Sequence, residues 1–167
     1  MLQGFPPVAD SRARVLILGS MPGQASLVAQ QYYAYRQNCF WRIMGDLFGA
    51  GPQLPYELRL EKLRASGIAL WDVIAACQRE GSLDADIVGA TVRANDFPGF
   101  LAGYPAIRRV YFNGAAAETA FRRSVLPGLN GPVLQLQRLP STSPAHAALP
   151  YAEKLAAWSA ISTASNM

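Results

Sequence analysis

Short apolar runs alternate with stretches of helical periodicity along the chain. Val15–Leu18, Ile68–Ile74 and Arg109–Asn113 are dominated by apolar and β-branched residues, a pattern typical of strands covered on both faces of a parallel sheet. Val133–Gln137 alternates apolar and polar residues, which favours a fourth strand nearer the edge. Because helical segments separate these runs, the pattern predicts an α/β fold, a three-layer sandwich in which helices flank a central four-stranded parallel sheet.

Periodic apolar positions, and the glycine and proline residues that end them, predict the helices. They cover about Ser26–Gln31, Phe40–Leu47, Tyr56–Ala65, a segment from the N-cap Asp96 through Leu101, Ala115–Ser124 and Tyr151–Ile161, with a further short helix after Asp84. Residues 1–13 and the tail 162–167 are predicted to be irregular.

Four loops lie where such a sheet binds ligands, outside the carboxyl ends of its strands. They are GSMPG at residues 19–23, the region of Asp72, Asn113-Gly114, and LPSTSPAHAA at residues 139–148. We therefore expect one functional site that is built from these loops.

Length and composition bound the kind of protein. With 167 residues, 51% of them apolar, the chain is long enough for one substantial core and too short to expect two. We therefore expect a single domain over residues 1–167 that acts as a monomer. The N-terminal segment lacks a cationic start followed by an apolar run, and no apolar segment approaches membrane-spanning length, so we expect a soluble, cytoplasmic protein without membrane contact.

Soft metal ligands are scarce in this sequence. Only Cys39, Cys77 and His146 are available, which is too few for a four-ligand zinc site or a Cys-ligated iron–sulfur cluster. We expect no metal and no cofactor.

The chain is mildly basic, with 15 Lys+Arg against 11 Asp+Glu and a formal net charge of +4. This charge is compatible with a polyanionic partner. All cations except Lys62 and Lys154 are Arg, which suits phosphate contacts, although genomic base composition produces the same bias. Arg36, Arg42 and Arg138 flank the site loops and are candidate phosphate contacts, which would make binding dependent on salt.

Each loop allows a structural and a functional interpretation. Gly19–Gly23 lacks both GxGxxG and the Lys of a phosphate-binding loop, so it is either a tight turn or a set of backbone amides for the oxygen atoms of a ligand. The tyrosines of Tyr32–Tyr35 are either core aromatics or a stacking surface for a flat ligand. Asn38 either caps the following helix or holds its amide at the mouth of a pocket.

The polar residues of the later loops are equally open. Asp72 is either a satisfied strand-end carboxylate or a ligand contact. Ser141, Thr142 and Ser143 either form a hydroxylated turn or bind phosphate groups through hydroxyls and amides. His146 is either a surface or capping residue, or it contacts a phosphate or the pocket.

Taken together, these segments resemble the motifs of the uracil-DNA glycosylase superfamily, and most closely its hypoxanthine-DNA glycosylase branch. The resemblance rests on GSMPG, YYAYRQNCFW, LWDV with GSLD, FNG and LPSTSPAH, in this order. It covers roughly residues 15–158, and the joint presence and order of the motifs make it specific.

The resemblance implies a monofunctional base-excision enzyme that acts on DNA containing deaminated bases. Such an enzyme flips the base out of the duplex and hydrolyses its N-glycosidic bond, leaving an abasic site. The base implied first is hypoxanthine, from deoxyinosine, and uracil is second. The iron–sulfur branches of the superfamily are excluded, because they need four Cys and this chain has 2.

The resemblance also implies roles for individual residues. Asn38 matches the Asn that holds the attacking water, a task that many relatives give to an Asp or Asn where this chain has Met21. Tyr33 matches the ring that stacks on the flipped base. Leu139 stands where uracil-specific relatives have a catalytic His, which puts strong uracil activity in doubt. The base-binding residues that we predict are Gly19, Ser20, Met21, Pro22, Gly23, Tyr33, Asp72 and Asn113.

Ser141–Ser143 match the loop that enters the minor groove and pinches the phosphates, and His146 matches a His sometimes found there. We predict DNA contacts from this loop and from the three arginines named above. The two lysines lie in predicted outer helices, so we expect no Schiff-base lyase step. Two other functions stay open, a catalytically silent nucleic-acid-binding domain on the same fold and a small-molecule enzyme with a Rossmann-like sheet.

Overall fold

The computed structural model describes residues 1–146 and 148–165. In chain order its strands are β1 (Leu2–Gln3), β2 (Val15–Gly19), β3 (Ile68–Asp72), β4 (Ile74–Cys77), β5 (Arg93–Ala94), β6 (Arg109–Asn113) and β7 (Gln135–Leu139). Its α-helices are α1 (Gln24–Ala29), α2 (Phe40–Phe48), α3 (Tyr56–Ala65), α4 (Phe97–Gly103), α5 (Ala115–Ser124), α6 (Tyr151–Trp158) and α7 (Ala160–Ser165). Single turns of 3₁₀-helix cover Asp84–Asp86, Gly89–Thr91 and Leu126–Gly128.

Four strands form the predicted parallel sheet, in the order β3-β2-β6-β7. The chain moves from β2 to one side of the sheet for β3 and then to the other side for β6. The carboxyl end of β2 is therefore a topological switch point, where α/β sheets bind their ligands. The register places Gly19 beside Asp72 and Asn113 beside Leu139, so the strand ends predicted to carry the site are neighbours.

Helices cover both faces of the sheet. Successive residues of a strand point to opposite faces, and in β2 both sets of side chains are apolar. Val15 and Ile17 of β2 face a core that includes residues of α2, α3, α6 and α7. Leu16 and Leu18 face a second core, formed with α4 and α5. All four side chains are fully buried. The three-layer sandwich is thus confirmed, and so is the prediction that β2 is covered on both faces.

The predicted strand Ile68–Ile74 is wrong at its carboxyl end. Its first five residues form β3, but Ile74–Cys77 belongs to a second, antiparallel sheet of order β1-β4-β5. The lead-in predicted to be irregular therefore contains a strand, Leu2–Gln3, which pairs with β4.

Hydrogen bonds turn the chain between the two sheets. The backbone N–H groups of Val73 and Ile74 donate to the carbonyl oxygens of Gly19 and Ser20, at 2.9 and 3.0 Å. The side-chain amide of Asn95 donates to the backbone oxygen of Asp72 at 2.7 Å. Asp72 is therefore the last residue of β3 and lies at the carboxyl edge of the parallel sheet.

Other boundaries differ from the predictions by a few residues. The helix expected near Ser26–Gln31 is α1 and starts two residues earlier, and the edge strand expected over Val133–Gln137 is β7 and lies two residues later. The helix expected over Tyr151–Ile161 divides at Ser159 into α6 and α7, so the supposed tail is helical to Ser165. Asn166 and Met167 lie outside the described residues.

Several local predictions are confirmed. The helices Tyr56–Ala65 and Ala115–Ser124 and the strand Arg109–Asn113 have the expected bounds. Asp96 caps α4, because its carboxylate accepts a hydrogen bond from the Gly99 N–H at 3.1 Å. No helix in the described part of the chain is long and apolar enough to cross a membrane.

Candidate active site

A cavity of about 510 Å³ opens at the carboxyl ends of β2, β3 and β6. All four predicted loops contribute to it. Its lining comprises residues 19–26, Tyr32, Tyr33, Tyr35, Asn38, Asp72, residues 82–85, Asn113 and residues 141–146. A cavity of this size at a switch point has the volume that small-molecule and base pockets require.

The floor of the cavity is formed by Gly19, Asp72 and Tyr33. A Cβ atom added to Gly19 would lie 2.5 Å from Oδ1 of Asp72 and 2.8 Å from the hydroxyl oxygen of Tyr33. Both distances are far shorter than a carbon–oxygen contact allows. Glycine is therefore needed here for close approach of the three residues and not for a special backbone angle.

Replacing Gly19 with Ala is expected to destabilise the floor and to lower base excision at least tenfold. The added methyl group has to displace the carboxyl or the phenol, and overpacking of this kind costs about 1–3 kcal/mol of folding stability. Gly23→Ala is the matched control, since its Cβ would meet Ser82 atoms no closer than 3.5 Å. Excision kinetics and thermal unfolding of both variants test the prediction, and equal losses in the two variants would contradict it.

Asp72 is a buried carboxyl group in the cavity lining. The residue is only 4% exposed, and its Oδ2 has no hydrogen-bond partner among the described residues. Burial is the main cause that raises the pKa of Asp72 to about 7; the negative charge of Asp84 acts in the same direction and Arg79 opposes the shift. A carboxyl group that is poised between its two charge states in a cleft is a candidate for chemistry.

Tyr33 presents its ring to the cavity under backbone strain. The ring stacks on Phe40 with a centroid distance of 4.0 Å and an interplanar angle of 22°. Its φ of 53° lies in the left-handed region, which bulky residues rarely adopt. Burial, together with the nearby Asp72 carboxyl, raises the pKa of the Tyr33 hydroxyl well above its ordinary value. The hydroxyl is buried and makes no hydrogen bond of good geometry to the described residues, although the neighbouring Asn113 side chain slightly opposes the rise in its pKa.

Asn38 lines the cavity and also binds the start of α2, although the N-cap position itself is Cys39 and not Asn38 as predicted. Its Oδ1 accepts a hydrogen bond from the N–H of Phe40, the first residue of α2, at 2.9 Å. This hydrogen bond does not use up the amide oxygen, which has a second lone pair. The same bond fixes the orientation of the amide at the cavity wall.

Asn113 holds the last loop in place. Its Nδ2 donates to Oγ1 of Thr142 at 2.9 Å, and its Oδ1 accepts from the Thr142 N–H at 2.9 Å. The carbonyl oxygen of Thr142, a buried residue, in turn accepts from the N–H of Cys39 at 3.1 Å. Asn113 lies at the cavity as predicted, but both polar atoms of its side chain bind Thr142. Thr142 in turn connects this loop to Cys39, just before α2.

The loop after β7 uses its hydroxyl groups locally. Oγ of Ser141 accepts from the Ser143 N–H at 3.1 Å, and Oγ of Ser143 accepts from the Ala145 N–H at 3.2 Å. Ala145 and His146 are exposed at the cavity lining. The predicted loop also includes Ala147, which lies outside the described residues.

Met21 and Leu139, which replace polar residues of the superfamily pattern, are both buried in the core. Met21 is 7% exposed and packs in the core under α4 and α5, although it also lines the cavity. Leu139, at the end of β7, is 2% exposed and packs in the opposite core. Neither side chain can polarise a water molecule.

The three predicted DNA-contacting arginines are not among the described lining residues of the cavity. The guanidinium of Arg42 lies 3.6 Å from the centroid of the Tyr151 ring, and Arg138 forms an ion pair of 3.7 Å with Glu118. Arg36 is exposed. Their predicted role at the DNA backbone stays a prediction.

The two lysines occupy different environments. Lys62 is exposed on α3, whereas Lys154 is buried on α6 near Cys39. Neither is among the described residues that line the cavity.

One wall of the cavity was not predicted as part of the site. Oγ of Ser20 donates to Oδ1 of Asp84 at 2.5 Å, and the N–H of Gln24 donates to Oγ of Ser82 at 2.9 Å. The GSLD motif at residues 81–84 thus binds the GSMPG loop directly. GSLD is among the motifs that carry the family resemblance, but no site residue was predicted within it.

Arg79 connects the GSMPG loop to the GSLD motif through hydrogen bonds. This residue is only 8% exposed, and its Nη2 donates to the carbonyl oxygen of Pro22 at 2.6 Å. Its Nε donates to the carbonyl oxygen of Gly81 at 2.8 Å. Because both acceptors are backbone atoms, the guanidinium fixes the spacing of the loops.

Comparison with known proteins agrees with this geometry. The family model of the uracil DNA glycosylase superfamily matches residues 6–161. Over 145 residues the chain is 39% identical to a hypoxanthine DNA glycosylase of Methanosarcina acetivorans, covering 86% of this chain and 87% of that protein. Over 113 residues it is 42% identical to a hypoxanthine DNA glycosylase of Methanosarcina barkeri, covering 67% of this chain and 70% of that protein.

A solved structure has the same architecture. The solution NMR structure of a Methanosarcina acetivorans protein, described as a candidate uracil DNA glycosylase, superposes with a TM-score of 0.78 at 34% identity. The match covers 99% of this chain and 98% of the other. With the cavity at the switch point and the motifs around it, the chain belongs to the uracil DNA glycosylase superfamily and is a DNA glycosylase.

Proposed function

We propose that this glycosylase removes hypoxanthine from deoxyinosine in DNA, by flipping the nucleotide into the cavity and hydrolysing its N-glycosidic bond. The observation that carries the proposal is the floor of Gly19, Asp72 and Tyr33 in the cavity lining, where the Tyr33 hydroxyl and one carboxyl oxygen of Asp72 are buried without partners among the described residues. The two Methanosarcina relatives, which are named as hypoxanthine DNA glycosylases, support the same base.

The cavity offers both kinds of contact that a flipped base needs. Extruded bases are held by stacking on apolar or aromatic side chains and by hydrogen bonds to their edges. The ring of Tyr33, supported from behind by Phe40, is the stacking surface. The backbone amides of the GSMPG loop lie along the same lining and supply donors for the oxygen and nitrogen atoms of the departing base.

Hydrolysis then requires a water molecule on the other side of the sugar. Base loss passes through an oxocarbenium-like sugar, which demands orientation of the water more than strong basicity. In this proposal Asn38 holds the water through its amide, whose direction is fixed by the hydrogen bond to Phe40 N–H. Neither lysine lines the described part of the cavity, which supports a hydrolytic reaction without a Schiff base.

The test is cleavage of duplex oligonucleotides that contain inosine, uracil or neither, at enzyme excess and followed by alkaline cleavage of abasic sites. We expect strand breakage with inosine, weaker breakage with uracil and none with the undamaged duplex. Faster excision of uracil than of hypoxanthine would overturn the proposed base. If neither the inosine duplex nor the uracil duplex is broken, the proposal as a whole is contradicted.

A further inference from the structure

The cavity contains two carboxyl groups in contrasting environments. Asp72 is buried at the floor, whereas Asp84 is exposed on the wall and accepts a hydrogen bond from the Ser20 hydroxyl at 2.5 Å. Pairs of titratable groups whose surroundings drive them into different charge states commonly mark the donor and the acceptor of an active site.

The surroundings of Asp72 disfavour its ionised form. An ionised carboxylate is stable in a buried position only when donors or a cation compensate it. Oδ2 of Asp72 has no such partner among the described residues. Arg79, the cation that acts on Asp72, directs Nε and Nη2 to the backbone carbonyls of Gly81 and Pro22, and its Nη1 has no hydrogen-bond partner among the described residues.

The other groups around Asp72 do not change this balance. The titratable groups that interact with it electrostatically are Tyr32, Tyr33, Tyr56, Arg79 and Asp84. Burial raises the pKa of each of the three tyrosines, so their hydroxyl groups stay neutral near neutral pH. Asp84 and Arg79 are therefore the charges that act on Asp72, and the contribution of Asp84 is the larger.

We propose that Asp72 acts as a neutral carboxylic acid that donates a hydrogen bond to the flipped purine, and that its burial without a partner, reinforced by the nearby charge of Asp84, keeps it neutral. This inference rests on the proposed function. The edge of a 6-oxopurine carries two neighbouring acceptors, O6 and N7, whereas adenine carries an amino donor at the same position. The acid proton and the Tyr33 hydroxyl beside it supply two donors, which match the O6 and N7 acceptors of a 6-oxopurine.

The donated hydrogen bond also assists bond cleavage. Negative charge develops on the purine as the N-glycosidic bond breaks, and a donor that is already in place stabilises this charge. An ionised Asp72 would repel it. The rate of excision is therefore expected to fall as pH rises and Asp72 loses its proton.

The experiment is the single-turnover rate of hypoxanthine excision between about pH 5 and pH 9, measured for the wild type and three variants. We expect the wild-type rate to fall about tenfold per pH unit above the pH at which Asp72 ionises. Asp72→Asn keeps a donor that cannot ionise, so its rate is reduced but the alkaline fall is absent. Asp84→Asn removes the negative neighbour, so the fall is displaced to lower pH. Asp86→Asn, an exposed residue outside the lining, is the matched control and should follow the wild type.

A wild-type rate that rises through this pH range, or an Asp72→Asn variant with the same alkaline fall, would overturn the proposal. The ¹³C carboxyl resonance of Asp72 in labelled wild-type protein, assigned by its disappearance in Asp72→Asn and its shift in Asp84→Asn, gives an independent measurement. A titration midpoint near that of an ordinary Asp would also overturn it. Absence of excision at every pH would reject the proposed function instead, and the resonance would still test the protonation state of Asp72.

Discussion

Asn38→Ala is expected to lower the single-turnover rate of base excision by about 10²–10³-fold, the usual loss when one preorganised polar group is removed from a catalytic site. The amide lines the cavity in an orientation that the Phe40 N–H fixes. Without it, the attacking water has no fixed position. The measurement is excision from an inosine-containing duplex at enzyme excess.

The same substitution also removes the hydrogen bond from the Phe40 N–H at the start of α2, which costs about 1 kcal/mol of folding stability. Asn38→Ser separates the two effects, because a Ser hydroxyl can accept the same local N–H but is too short to reach the position of the amide. We expect Asn38→Ser to recover most of the stability and little of the rate. Recovery of the rate along with the stability would show that Asn38 acts only through its hydrogen bond to the start of α2.

Asp72→Asn is expected to stabilise the protein at neutral and alkaline pH, by up to about 4 kcal/mol at pH 8. The pKa of Asp72 is raised from 3.8 to about 7 by burial. Between these values the unfolded chain gives up the proton while the folded chain retains it. Folding stability therefore falls as pH rises through this window, and above it the full cost of an ionised buried group is present. An amide escapes this cost because it never ionises.

Chemical denaturation at about pH 4, 6 and 8 measures this effect. Wild type and Asp72→Asn should have similar free energies of unfolding at the lowest pH and diverge as pH rises, while Asp86→Asn should change stability little at each pH. Parallel curves for wild type and Asp72→Asn would show that Asp72 ionises in the fold as it does in water. A stabilised variant with impaired chemistry is the usual sign of a group retained for function.

The sequence predicted the main sheet and the location of the site because both depend on local patterns and one topological rule. Val15–Leu18 and Arg109–Asn113 are short apolar runs followed by Gly, and the helix Tyr56–Ala65 lies between a proline and a glycine, so each boundary has a nearby cause. The parallel topology then brings the loops after the strands to one edge.

The second sheet has no comparable signal. IALWDVI is continuously apolar apart from Asp72, so nothing in it marks the change of sheet at Val73. Leu2–Gln3 becomes a strand only because Ala76 and Cys77 lie beside it, more than seventy positions along the chain.

Contacts between distant loops were equally hidden. The amide of Asn113 and the backbone of Thr142 are 29 residues apart, and the hydroxyl of Ser20 and the carboxylate of Asp84 are 64 apart. Each of these residues is an ordinary loop residue in its own neighbourhood. Their roles arise from the packing of whole elements, which no local pattern describes.

The two walls of the cavity consequently differ in how much free energy is needed to open them. The wall after β2 and β6 is rooted in strands of five residues with parallel partners on both sides. The wall at residues 82–85 follows β4, whose partners β1 and β5 are two residues each, one of them joined through an irregular register. Short pairings of this kind open in local unfolding long before a central sheet does. Among the residues that line the cavity, amide hydrogen exchange should therefore be fastest in the wall at residues 82–85. This wall can open by local unfolding while the wall after β2 and β6 stays folded.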